Sequence, residues 1–376
     1  MTPCADEKFR FATGARNYRA AEQCTAEAII EVASTFPPIR SSQHHDFPAA
    51  KLNRLAAAPA FTVLVGVVLA AFVVALSVGS VALDMHAIVQ ALGSGDDSTA
   101  RMIVRDLRLP RAVAAFATGG SLALAGALLQ VLLRNPLADP YVLGVSGGAA
   151  VGTLLTMLIG AAAWVTPLGA FGGAFASTVI VFSLSRGDGA WSPPRLLLTG
   201  VIVAAGWGAL VALLLTLAPD AQLRGMLFWL IGDLSEPPST WIPLLTLALG
   251  VGIALPFARD LNVLSRGPIA AASLGVAVTR LPWLLFGLSA LLTAVAVTTG
   301  GAIGFVGLIV PHAVRLTLGN DQRITLPASA LAGGALLLIA DTLSREVVAP
   351  TQLPVGVITA LLGVPTFLYL LARERR

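Results

Sequence analysis

The chain of 376 residues is 56% apolar and only 12% charged, with a mean hydropathy of +0.83, against roughly 25% charge in ordinary soluble domains; a water-soluble globular protein is excluded and lipid is the implied solvent. The net charge of +4 and pI near 9.6 do not mark a nucleic-acid binder, because the arginines sit singly between apolar runs and form no basic stripe. The two cysteines, Cys4 and Cys24, lie together in the polar N-terminal stretch and support neither a disulfide framework nor a zinc site.

Residues 1–55 are polar and lack the basic-then-apolar order of a secretory signal. They contain Phe36-Pro37-Pro38 followed by Ser41-Ser42-Gln43-His44-His45 and read as a disordered cytoplasmic extension. A short helix over 20–32 and an over-long start remain open readings of the same stretch.

Residues 56–376 read as one membrane domain. Apolar runs of bilayer-spanning length cover 61–83, 110–133, 142–159, 167–184 and 196–217, and a second five cover 241–258, 282–299, 302–318, 325–343 and 354–371. In lipid the backbone has no water to bond with, so each run must be helical. The predicted fold is all-α with ten transmembrane helices. With the N-terminus inside, 13 Lys or Arg from Lys51 onward fall on cytoplasmic ends and six outside, namely Arg101, Arg105, Arg108, Arg111, Arg224 and Arg345. The positive-inside rule therefore favours both termini in the cytoplasm, and Arg373, Arg375 and Arg376 beyond the last span agree.

Glycines four residues apart let helices approach closely: Gly144, Gly148 and Gly152 share a face, as do Gly169 with Gly173 and Gly300 with Gly304. A faint repeat runs through the domain. Arg108-Leu109-Pro110 and Arg280-Leu281-Pro282 each open a span, and Gly200-Val201-Ile202 recurs as Gly356-Val357-Ile358. The copies are five spans apart, and an odd offset inverts one half relative to the other, as in many transporters. Two inverted five-helix halves are the implied arrangement.

No GxxxxGK[ST], HExxH or GxSxG occurs, so neither a phosphate-cradling loop nor a hydrolytic motif is present. Of four histidines, His44 and His45 lie in the extension, His86 lies beyond the first span, and only His312 falls at membrane depth, so no histidine metal cluster can be assembled. His312, after Pro311, reads either as a helix-end hydrogen-bonding residue or, with Arg315, as a functional intramembrane polar group. Asp341 is the one carboxylate deep in a span, near its outer end. That is a poor supply for proton or sodium coupling, so the energy for any transport must come from a partner.

The segment RLPRAVAAFATGGSLALAGALLQVLLRNPLADPYVLGVSGGAA, which begins at Arg108, resembles the iron-siderophore and cobalamin permeases of binding-protein-dependent ABC importers, the FecCD type. The later GAIGFVGLIVPHAVRL and LPVGVITALLGVPTFLYLL resemble the same family. The resemblance implies a permease in the bacterial inner membrane that imports cobalamin, a ferric siderophore or haem by alternating access. It also implies a homodimer around a central pathway, a periplasmic binding protein, and two cytoplasmic ATPase subunits that use ATP and Mg, with no cofactor on this chain. The wording of residues 139–144 is nearer the cobalamin permeases. A self-contained secondary carrier or channel is the competing class.

Residue by residue, the resemblance places a cytoplasmic gate at Asn135, Pro136 and Leu137, for which a plain re-entrant turn is the alternative. A second gate maps to Ser192 and Pro193, where the family carries Ser-Thr. The stretch 259–280 resembles the segment that docks on the ATPase, with Gly267, Ala271, Leu274 and Gly275 in the family pattern. Pro268 stands where the family has Glu, so a helix should start there and one charged contact is lost. An ordinary loop is the alternative. Arg108, Arg111 and Arg345 sit on outer span ends against the charge bias. The family uses arginines at these positions to grip carboxylates of the binding protein, as guanidinium geometry suits. Headgroup anchoring or local pairing, such as Arg108 with Asp106 or Arg345 with Glu346, is the alternative.

Overall fold

A computed structural model of the chain describes residues 54–79, 81, 83–93, 99–185, 193–349 and 351–374. All but the last two residues of the expected extension lie outside them, as does Ser192. The described residues are helices and connections without a strand. In chain order the helices are α1 Arg54–Ser77, α2 Met85–Gly93, α3 Thr99–Leu132, α4 Val145–Leu158, α5 Thr166–Ser185, α6 Pro193–Leu217 and α7 Asp220–Ile231. They continue with α8 Trp241–Leu264, α9 Pro268–Ser273, α10 Leu281–Gly300, α11 Val306–Leu318, α12 Gln322–Glu346 and α13 Val355–Glu374.

Each of the ten expected spans is a helix. Seven (α1, α3, α5, α6, α8, α10, α12) are long and apolar enough to cross a bilayer, and α4, α11 and α13 are shorter apolar helices. The departures have physical causes. α3 begins eleven residues before the apolar run, at Thr99, because Arg101, Arg105 and a π-helical turn over Ile103–Arg108 extend it past the hydrocarbon. α8 passes through a tight turn at Leu255–Phe257 and continues to Leu264. α2 and α7 are helices outside the ten expected spans; α2 is amphipathic, and both are too short to cross a bilayer.

α3 is the hub. Its apolar window is 89% buried, and α12, α10, α11 and α8 pack around it. By contrast α6 is only 11% buried and α1 22%, so their faces are left to lipid or to another protein. The expected glycine seam forms between α4 and α5. A Cβ on Gly152 would lie 2.0 Å from the Gly169 carbonyl oxygen, and one on Gly148 would lie 2.3 Å from that of Gly173, so only hydrogen fits there. The Gly300 with Gly304 pairing does not form a seam: Gly300 ends α10, and Gly304 sits on the following connection with nothing within 4 Å of a Cβ.

α4 and α11 have 14 and 13 residues, about 20 Å of helix each, too little to cross about 30 Å of hydrocarbon. Each is preceded by a connection that folds back into the protein. The α3–α4 connection carries Pro140 against Gly307 at the start of α11. The Tyr141 hydroxyl accepts the Ile303 N–H of the α10–α11 connection at 3.0 Å. Since α3 and α10 run in opposite directions, these connections enter from opposite ends and meet. Each ends on a left-handed residue, Gly144 at φ 69° and Phe305 at φ 70°. The pairs α3 with α10 and α6 with α13 are those the short sequence repeats relate, and α4 and α11, each a short helix after a folded-back connection, correspond in position as two inverted halves require.

Candidate functional site

Two clusters of polar groups sit at opposite ends of α3. At the C-terminal end, Leu133 closes the helix and Arg134 turns the chain in the left-handed region at φ 49°. The Asn135 N–H donates to the Gln130 carbonyl at 3.1 Å, and the Asn135 Oδ1 accepts the Leu137 N–H at 2.9 Å. The expected gate segment is thus a side-chain-capped turn, which Pro136 and Leu137 expose.

Gln130 holds this turn from beneath. Buried at 4% exposure, its amide nitrogen donates to the carbonyls of Ala138 at 3.3 Å and Leu308 at 3.2 Å. Its Oε1 accepts from the Arg315 guanidinium. One side chain therefore ties α3, the gate turn and α11 together. Arg315, expected as an intramembrane polar group, finds its place here, while His312 is buried one turn earlier on α11. Beyond the turn, Asp139 accepts the Tyr141 N–H at 2.8 Å. Burial pushes its carboxyl up to about 6, and that hydrogen bond only partly offsets the shift.

The coupling segment lies at the same end. α9 does begin at Pro268, with Gly267 (φ 121°) before it and Gly275 (φ 81°) after it, both backbone conformations that side chains resist. Ala271 is fully buried, whereas Leu274 is 70% and Ile269 87% exposed. A short helix is thus pinned by one methyl and offers two large apolar side chains outward. The segment is fastened to α12 by Asn262, which donates to Asp321 and accepts from the Gln322 N–H, both at 2.8 Å. Arg134 of the gate turn reaches this segment: its guanidinium lies 3.9 Å from where a Cβ on Gly267 would stand. Of the second gate, Pro193 opens α6, and Ser192 is outside the described residues.

The other end holds the three arginines, and each has an internal partner. Arg108, 7% exposed, donates to the carbonyls of Leu76 (2.6 Å), Ser77 (3.0 Å) and Val81, which closes the C-terminus of α1. Arg111, 8% exposed, makes a bidentate pair with fully buried Asp341 at 2.9–3.0 Å and donates to the Gln352 amide oxygen at 2.8 Å. Arg345 lies 3.6 Å from the same carboxylate and donates weakly, at 3.3 Å, to the Ala75 carbonyl and the Thr342 hydroxyl. Each arginine thus has local partners: the hydrogen-bonded ones are backbone carbonyls at the end of α1 and just after it and the Asp341 carboxylate, and Glu346 acts on Arg108 and Arg345 through charge. Asp341 serves two arginines and Glu346 acts through charge on Arg108 and Arg345, so three cations meet two carboxylates and one positive charge is left over, with Arg345 the least satisfied member.

The family model described as the FecCD transport family matches residues 67–373. The chain is 43% identical over 286 residues to the cobalamin import system permease protein BtuC of Halobacterium salinarum, covering 75% of this chain and 76% of that protein. It is 44% identical over 284 residues to the hemin transport system permease protein HmuU of Yersinia pestis, covering 72% and 83%. It is 36% identical over 294 residues to the vitamin B12 import system permease protein BtuC of Escherichia coli, covering 76% and 89%. A solved metal-chelate type ABC transporter in an inward-facing conformation superimposes with a TM-score of 0.76 at 29% identity, over 84% of this chain and 99% of that one.

Proposed function

The chain belongs to the FecCD transport family, and from that premise we propose that it is the membrane subunit of an ATP-driven importer for cobalamin, haem or a ferric siderophore. The α9 end faces the cytoplasm and the Arg345 end the periplasm, in the bacterial inner membrane. A second copy of the chain completes the pathway, and α6, the least buried long helix, is its natural interface. Two ATPase subunits supply the energy from ATP and Mg. A periplasmic binding protein delivers cargo, and access alternates between the two sides.

The observation that carries this reading is the continuity at the cytoplasmic end. The exposed Ile269 and Leu274 lie on and just after a short helix whose N-cap, Gly267, has the Arg134 guanidinium 3.9 Å from where a Cβ would stand, and Arg134 adjoins the gate turn held by Gln130. Closure of ATPase subunits around α9 would move Gly267, and with it the turn of Asn135, Pro136 and Leu137. At the periplasmic end the cationic excess around Arg345, backed by Arg108 and Arg111, suits acidic lobes of a binding protein. Asp341 is committed to Arg111 and Arg345, which leaves it unsuited to relay protons and disfavours a secondary carrier.

Reconstitution with the partner ATPase and binding protein tests the proposal. ATP hydrolysis should rise on addition of loaded binding protein, and Leu274→Asp should abolish both ATPase capture and that rise. Accumulation of cargo by this chain alone, driven by an ion gradient, would overturn it.

A further inference from the structure

A cavity of about 1180 Å³ is lined by no residue of the gate turn or the arginine cluster. Its lining comes from α10 at Val295 and Thr298, α5 at Phe171, α8 at Ile242 and Pro243, and α7 at Phe228 and Trp229. Because α5 begins at Thr166 and α8 at Trp241, these lining residues fall in the first turns of each span, at headgroup and upper acyl depth.

Two features point to its occupant. The apolar lining continues toward the bilayer centre along all three helices: Leu168 and Phe175 on α5 are 62% and 61% exposed, Leu245 and Leu249 on α8 are 61% and 55%, and Leu291 on α10 is 45%. The cavity is thus the upper end of a groove that opens sideways into hydrocarbon. The charged residues in its lining are of both signs: Arg224, and Asp233 with Glu236. The Arg224 guanidinium lies over the Phe228 ring at 5.6 Å and has no carboxylate partner among the described residues.

We propose that this groove binds a phospholipid with a primary-amine headgroup, a phosphatidylethanolamine: its phosphate meets Arg224, its ammonium meets Glu236 and Asp233, and an acyl chain lies between α5 and α8 over α10. The apolar groove supplies affinity for any lipid tail, and the two-signed rim supplies headgroup choice. An anionic headgroup would satisfy Arg224 but leave the two carboxylates facing negative charge. A bulkier trimethylammonium cannot donate hydrogen bonds to them. The site rests on the transport reading only for which leaflet it meets; binding itself does not depend on it.

The test is native mass spectrometry of the full chain released from nanodiscs of matched acyl composition containing phosphatidylethanolamine, phosphatidylglycerol or phosphatidylcholine. The wild type should retain phosphatidylethanolamine preferentially. Arg224→Ala should lower retention of phosphatidylethanolamine and phosphatidylglycerol by about fivefold, the weight of one interfacial cation. Glu236→Lys should instead shift preference toward phosphatidylglycerol. Quenching of tryptophan fluorescence by phosphatidylethanolamine brominated on the acyl chain should fall in a Phe171→Trp, Trp229→Phe pair only if the headgroup variants release it. Equal retention of the three lipids, unchanged retention in both charge variants, or displacement of lipid by cobalamin or haem would overturn the assignment.

Discussion

Asp341→Ala should be among the most damaging single substitutions in the membrane domain. The carboxylate is fully buried, accepts three hydrogen bonds from Arg111 at 2.9–3.0 Å and stands 3.6 Å from Arg345. Its removal leaves the buried Arg111 without a carboxylate partner and the part-buried Arg345 with only Glu346 to offset its charge. Breaking a buried pair from one side costs about 3–5 kcal/mol, and with an unfolding entropy of roughly 2 cal/mol/K per residue that lowers the melting midpoint of a chain of this size by roughly 4–6 °C. Arg111→Met alone should cost less, because Asp341 keeps Arg345 nearby. The double variant Arg111→Met, Asp341→Leu removes the charges together and should lose less than the two single losses combined. Intrinsic-fluorescence melting in detergent and in nanodiscs measures all three. A midpoint for Asp341→Ala within a degree of wild type, or strict additivity in the double variant, would refute the view that this pair fastens α3 to α12.

Gln130→Leu deprives the gate turn and Arg315 of their shared partner, at about 1–3 kcal/mol for the groups left unsatisfied; proteoliposomes should leak cargo without ATP, which a passive efflux assay reads. Arg345→Ala should slow association of the loaded binding protein by about tenfold at low salt and by less at high salt, the behaviour of a rim charge, as followed by surface capture kinetics. Asp139 has its carboxyl pushed up to about 6 by burial, above its unfolded value near 4. The folded state therefore binds the proton more tightly, and stability should rise as pH falls from about 6 toward 4 and fall as pH rises. Asp139→Asn, which keeps an acceptor for the Tyr141 N–H, should flatten that slope in a pH series of melting curves.

The helices were legible because lipid leaves the backbone one solution, so apolar length alone located all ten. α2 and α7 were not, since helices of nine and twelve residues fall well short of spanning length and so leave no long apolar run. The seam of Gly148 and Gly152 against α5 followed from spacing, whereas Gly304 matched the same spacing on a stretch that is not helical. The fold-back of the α3–α4 connection was visible only as prolines at 136 and 140; that it meets the connection before α11 depends on pairing across more than 160 positions. Gln130 left a faint trace, a lone amide inside an apolar run, and such a group must find partners when buried. The Arg111 to Asp341 pair could have been inferred from depth, because a buried carboxylate needs a cation and both residues sit at the same end of their spans.

The central claim is that this chain moves its cargo only when a separate ATPase works on it. Its most direct test is uptake of labelled cobalamin, hemin and ferric siderophore into proteoliposomes that hold the chain and its ATPase, with loaded binding protein outside and ATP with Mg inside. The account predicts ATP-dependent accumulation of one of these cargoes, lost without the binding protein and lost in Leu274→Asp. Uptake that proceeds equally without ATP, or that follows an imposed ion gradient, would contradict it.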